Sequence, residues 1–159
     1  GQAFVHEENL NYLFFEVLLK LDLQTLPLSG FNLFRQLFYI MNINNKNLIV
    51  INQKIVDIKN FSKLIGFHAL WQIYLLSKVS ITNEESQNLL VNLISTITKR
   101  EDNIDSLYLV FNKIFDYLKM NYDKLKNLNL SSSAYNNSEA TNDLLMQTNK
   151  LINLLFIVN

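Results

Sequence analysis

An all-α fold of stacked antiparallel helices is predicted for this 159-residue chain by three features. Apolar residues recur at three- and four-residue steps along most of the sequence, the period of one helix face. Several of these stripes cover a wide arc, as in helices that pack on more than one neighbour. Only Leu48-Ile49-Val50-Ile51 has the composition of a strand, and with no second strand to pair with it no sheet is expected. The length suits a single helical domain over 1–159.

The first helix is expected over about 8–21, where Leu10, Leu13, Phe14, Val17, Leu18 and Leu21 share a face. Glu7 and Glu8 suit its N-terminal end, and Leu26-Pro27-Leu28-Ser29-Gly30 breaks it. A second helix over about 31–41, capped by Ser29, carries Phe31, Phe34, Leu37, Phe38 and Met41. The Asn-rich run 42–47 favours a loop, because Asn side chains compete for backbone hydrogen bonds. A short helix over 59–65 stops at Gly66, which fits a tight turn or close backbone approach better than a helix interior. The next helix spans 67–77.

Thr82-Asn83-Glu84-Glu85 has the form of a capping box, Thr with Glu three positions on. Its helix shows Leu89, Leu90, Leu93, Ile94 and Ile97 on one side and ends at Lys99-Arg100. A long helix over about 102–125 is striped by Leu107, Val110, Phe111, Ile114, Phe115, Leu118 and Tyr122. A polar loop at about 128–138 leads to a last helix over 139–158. That helix is striped by Leu144, Leu145, Thr148, Leu151, Ile152, Leu155 and Phe156. No strict repeat is visible, so the stacking rests on helix lengths and order.

Composition excludes several functions. The net charge is zero, against the basic field a nucleic-acid binder needs. Without Cys there is no disulfide, thiolate metal site or cysteine nucleophile in this segment. The apolar runs break well short of the roughly 18 residues of a membrane span, and no signal peptide is expected. Gly1 reads as a tag remnant, so the chain is expected to be a piece of a longer one. The many Asn, Lys and Ile residues reflect AT-rich codons.

Candidates for chemistry each have a plainer structural reading. Glu84 and Glu85 point about 100° apart on a helix and do not share a site. His6 and His68 are far apart, and His68 has no convergent partner, so it reads as a partly exposed structural residue. Trp71 suits a binding anchor, but core packing between two helices is favoured. The Phe31, Phe34, Phe38 stripe reads as core rather than a ligand groove. Asp116 and Asp123 interrupt Lys113, Lys119, Lys124 and Lys126, which leaves a solvated face. No catalytic, cofactor-binding or metal-ligating residue is assigned, and no cofactor is expected. Apolar residues beyond the main stripe of the first helix, including Phe15, suggest a surface that a missing neighbour would cover.

One stretch is more specific. Phe34-Arg35-Gln36-Leu37-Phe38 with Asn42, then Val56-Asp57-Ile58, then Leu64-Ile65-Gly66-Phe67-His68-Ala69-Leu70-Trp71, resembles a segment of the giant fat-facets-type ubiquitin-specific proteases. The likeness covers about 31–125, and Phe67 and the Asn-rich loop depart from the family pattern. It implies an armadillo/HEAT-like α-α superhelix segment outside the peptidase domain, with Phe34, Phe38, Asn42, Asp57, Leu64, Gly66, Leu70 and Trp71 as structural motif residues. The parent chain is then expected to be a ubiquitin-specific cysteine peptidase. This piece would be its non-catalytic, cytoplasmic scaffold for ubiquitinated substrates or adaptors. The alternative reading is a helical-repeat protein–protein adaptor from another pathway, such as transport or trafficking. A third is a small helical enzyme using Glu and His.

Overall fold

The computed structural model describes residues 2–99, 104–130 and 138–158. It is mostly helical and divides into two compact units, Gly1–Arg100 and Glu101–Asn159.

The first unit begins with α1, Gln2–Asn11, which continues as a π-helical turn, Tyr12–Val17, and a 3-10 turn, Leu18–Lys20. The helix expected from position 8 therefore starts earlier and changes its winding. α2, Leu28–Asn44, buries Phe31, Phe34, Leu37, Phe38 and Met41, the whole expected stripe. It starts ahead of Ser29, which does not cap it. Pro27 holds the N-cap position in extended geometry, and its carbonyl accepts the Phe31 N–H at 3.0 Å. Pro suits the approach to a helix because its φ is fixed and it has no N–H to leave unsatisfied.

The expectation of no sheet is overturned. β1, Leu48–Ile51, pairs antiparallel with β2, Lys54–Ile58. Asn52 and Gln53 form the two-residue turn between them, with φ of 50° and 61°. Positive φ at both central positions is the geometry whose twist suits a tight hairpin, and Asn tolerates it. Opposite Ile49 and Val50 the register skips Val56, a bulge that turns its side chain outward. Two strands alone are marginal, but packing on helices stabilises them. Leu48, Ile55 and Ile58 are buried, with β1 against α2 and β2 against α4.

A single 3-10 turn, Phe61–Lys63, replaces the short helix expected over 59–65. α3, Phe67–Leu76, buries Leu70, Trp71, Ile73 and Tyr74. α4, Ser80–Thr98, starts ahead of Thr82, so the capping box does not form. The Thr82 hydroxyl instead donates to the Leu26 carbonyl at 2.7 Å. Glu85 accepts from Arg35 on α2 at 2.8 Å. Tertiary partners have taken both groups that would have capped the helix. Asn83 ties α4 to α3 by donating to the Tyr74 carbonyl at 2.7 Å.

The second unit is a hairpin of α5, Ile104–Leu130, and α6, Ser138–Val158. Leu128 lies beside Ala140, and Asn121 donates to Thr148 at 3.4 Å, so the helices run antiparallel. α5 extends past position 125, which shortens the expected polar loop; its part at 131–137 lies outside the described residues, as do Arg100 and Asp102. The expected stripes divide. Val110, Ile114, Leu144 and Leu151 are buried, while Phe115, Tyr122, Leu145, Ile152 and Phe156 are exposed.

Candidate functional site

The motif residues other than Asp57 meet at one place in the first unit. Phe14 from the π-helical turn stacks on Phe34 with ring centroids 5.5 Å apart. Phe34 lies 5.8 Å from Phe31 and 6.0 Å from Phe38, which makes a fully buried column along α2. Helical spacing lines up the three α2 rings, and Phe14 enters from the side.

Below the column, the end of α2 is fastened to the chain that leads into α3. Asn42 is fully buried and its amide is satisfied on both sides. The Asn42 Nδ2 donates to the Phe38 carbonyl at 2.8 Å and to the Ile65 carbonyl at 2.9 Å. Its Oδ1 accepts from the Ile65 N–H at 2.8 Å and from Asn47 Nδ2 at 3.2 Å. Asn47 also donates to the Lys63 carbonyl at 2.8 Å. Part of the Asn-rich run is therefore a buried hydrogen-bonding device, since buried backbone groups must find partners.

Gly66 follows at φ 81°, a left-handed position before the first turn of α3. A Cβ there would lie 2.5 Å from Phe14 Cζ. Glycine thus provides both the turn and the room for the ring. Beyond it, Phe67 makes edge contacts with Phe61 at 5.0 Å and with Trp71 at 6.1 Å. Trp71 is fully buried, as core packing requires.

Over this framework opens a cleft of about 320 Å³. It is lined by Phe15, Leu19 and Leu23 from the segment after α1 and by Leu64, Gly66 and Phe67 from the approach to α3. His68 and Gln72 supply its polar lip, with His68 exposed. Of the motif residues, Leu64 and Gly66 line the cleft, while Phe34, Phe38, Asn42, Leu70 and Trp71 are buried and do not line it. Asp57 is not part of it. Asp57 sits on β2 and pairs with Lys59 at 2.6 Å.

The cleft is mostly apolar with one imidazole at its edge, which suits apolar side chains better than proton transfer. Among the described residues, no three His, Asp or Glu side chains are grouped to hold a metal ion. No helix among them is long and apolar enough to cross a membrane. Burial pushes the Tyr74 phenol up to about 12, which keeps it neutral. Sequence pattern missed the lining from Phe15 to Leu23, because a π-helical turn shifts the phase of the apolar stripe. The one available signal was that Phe15 lies off the main stripe.

No family model, curated protein or solved structure matches this chain.

Proposed function

We propose that this chain is a non-catalytic helical scaffold that recruits protein partners, within the helical portion of a large fat-facets-type ubiquitin-specific protease. The observation that carries the reading is the convergence of the motif residues. Phe34, Phe38, Asn42, Gly66, Leu70 and Trp71 build one framework. The surface over it is an apolar cleft rather than a set of facing acids and bases. Residues that shape a fold in this way support a shared architecture, here an armadillo/HEAT-like superhelix segment in which neighbouring helical pairs continue the stack. Ubiquitinated substrates or adaptors are the partners this reading assigns, and the cytoplasm the compartment.

The test has two arms. The natural full-length protein should contain a thiol peptidase domain and release a fluorophore from ubiquitin, while this chain alone should not. A full-length protein with no such activity removes the deubiquitinase assignment and leaves the transport or trafficking adaptor. In the second arm, partners captured by the full-length protein are challenged with Gln72→Glu and Phe15→Asp, which place charge on the cleft. Loss of a partner supports the scaffold reading, and an unchanged partner set rejects the cleft as its docking point.

A further inference from the structure

The α5–α6 hairpin has a second apolar face besides its buried seam. At about 100° per residue, Tyr108, Phe115 and Tyr122 lie on one line of α5, turned away from buried Val110 and Ile114. They are 67%, 57% and 65% exposed and recur every seven residues. On α6, Leu145, Ile152 and Phe156 form the matching line, turned the same way from Leu144 and Leu151. Because the helices are antiparallel, the same angular offset brings both lines to one side of the hairpin. A seven-residue repeat keeps a helix seam against another helix over several turns.

We propose that this face pairs with the same face of a second copy of this chain, making a four-helix arrangement about a two-fold axis. Two observations select a second copy. The first is area. A buried aromatic side chain covers roughly 150–250 Å². At the exposures of Tyr108, Phe115, Tyr122 and Phe156, the last 78%, the four rings leave on the order of 500 Å² open. That rivals the largest patch of an ordinary monomer and exceeds half of the roughly 800 Å² each partner buries in a standard interface. The second is charge. Asp116, Lys119, Asp123 and Lys126 alternate in sign along the rim of the α5 line. An antiparallel copy of α5 whose two-fold axis passes near position 121 sets Asp116 against Lys126 and Lys119 against Asp123, so these four complement themselves, as a two-fold contact requires. The α6 rim is Asn142, Asn149 and Asn153 and adds no like charges.

The pairing goes beyond the proposed function and does not depend on any link to ubiquitin. The experiment is sedimentation velocity of the whole chain over a concentration series, with circular dichroism to confirm helix content. A reversible dimer is expected. Phe115→Glu with Phe156→Glu should weaken it by at least about 30-fold, the loss of one interface hot spot. Tyr12→Glu, on the other unit, should leave it intact. Asp116→Lys with Asp123→Lys makes the rim uniformly basic and should weaken the dimer at low salt, with recovery at high salt. These exposed rim positions decide the matter even if the Phe variants unfold. A chain that stays monomeric on the order of 1 mM, a dimer indifferent to the rim reversal, or a dimer dissolved by Tyr12→Glu overturns the proposal. So does a monomer that uses this face only for a different protein.

Discussion

Gly66→Ala should be among the most damaging small substitutions in the first unit. The added methyl meets Phe14 Cζ at 2.5 Å, Phe14 Cε1 at 3.0 Å and Phe38 Cδ2 at 3.4 Å. Neither ring has room to retreat, since both are fully buried in the aromatic column. Holding Ala at φ 81° costs about 1–2 kcal/mol. Overpacking a closed core adds about 1–3 kcal/mol. The expected loss is therefore about 2–5 kcal/mol, a large part of the roughly 5–15 kcal/mol that holds a domain. Urea unfolding followed by fluorescence measures it cleanly, because Trp71 is the sole Trp of the chain and reports on this unit. Phe14→Leu removes the atom that clashes. In that background Gly66→Ala should cost only the backbone part, about 1–2 kcal/mol. A loss below about 1 kcal/mol in the parent chain, or equal losses in both backgrounds, refutes the packing argument.

Two further outcomes are expected. Asn42→Ala leaves the Ile65 backbone groups and the Asn47 amide without their buried partner, at about 1–3 kcal/mol for each group left unsatisfied. Its urea midpoint should fall at least as far as that of Gly66→Ala, and an unchanged midpoint would show that water replaces the amide at no cost. In the second unit, burial pushes the Lys150 ammonium down to about 8. Between that value and its ordinary 10.5, the unfolded chain holds a proton that the folded chain has released, so stability rises with pH across this window. Lys150→Met should raise the melting temperature at pH 7 and flatten the rise from pH 8 to 10, read by helical circular dichroism. Parallel curves for the two proteins would sink this reading. The scan stops near pH 10 because Tyr74, held up to about 12, acts with the opposite sign above that point.

The parts of the fold legible in the sequence are those where one physical demand acts alone. The α2 stripe was readable because Phe31, Phe34, Leu37, Phe38 and Met41 all point into one core. Gly66 was readable because only a residue without a side chain fits a left-handed turn beneath a ring. The misreadings occur where two demands compete. Thr82 and Glu85 have capping chemistry, but the Leu26 carbonyl and Arg35 lie within reach in the folded chain and take them. Asn42 and Asn47 have loop chemistry, yet their amides satisfy buried backbone that no local pattern reveals. The hairpin was missed because its turn is Asn52-Gln53 rather than Asn-Gly, and because Lys54 to Ile58 carries a bulge that breaks strict alternation. Half of the cleft was hidden by the π-helical turn, whose winding moves Phe15 and Leu19 off the phase of an α-helix.

The α5 and α6 stripes fail differently. A period of three and four residues says that a face is apolar and does not say what covers it. On α5 the period fits two lines at once, one through Val110 and Ile114 and one through Tyr108, Phe115 and Tyr122. Merged, they look like one wide face meant for a core. At about 100° per residue the two lines stand about 120° apart, and the aromatic line is left in solvent. A helix that only had to pack on α6 would gain nothing from large rings on its outer line, and polar residues would serve there as well. The breadth of the apolar arc, which first suggested helices with more than one neighbour, therefore fits a second neighbour for this hairpin beyond α6.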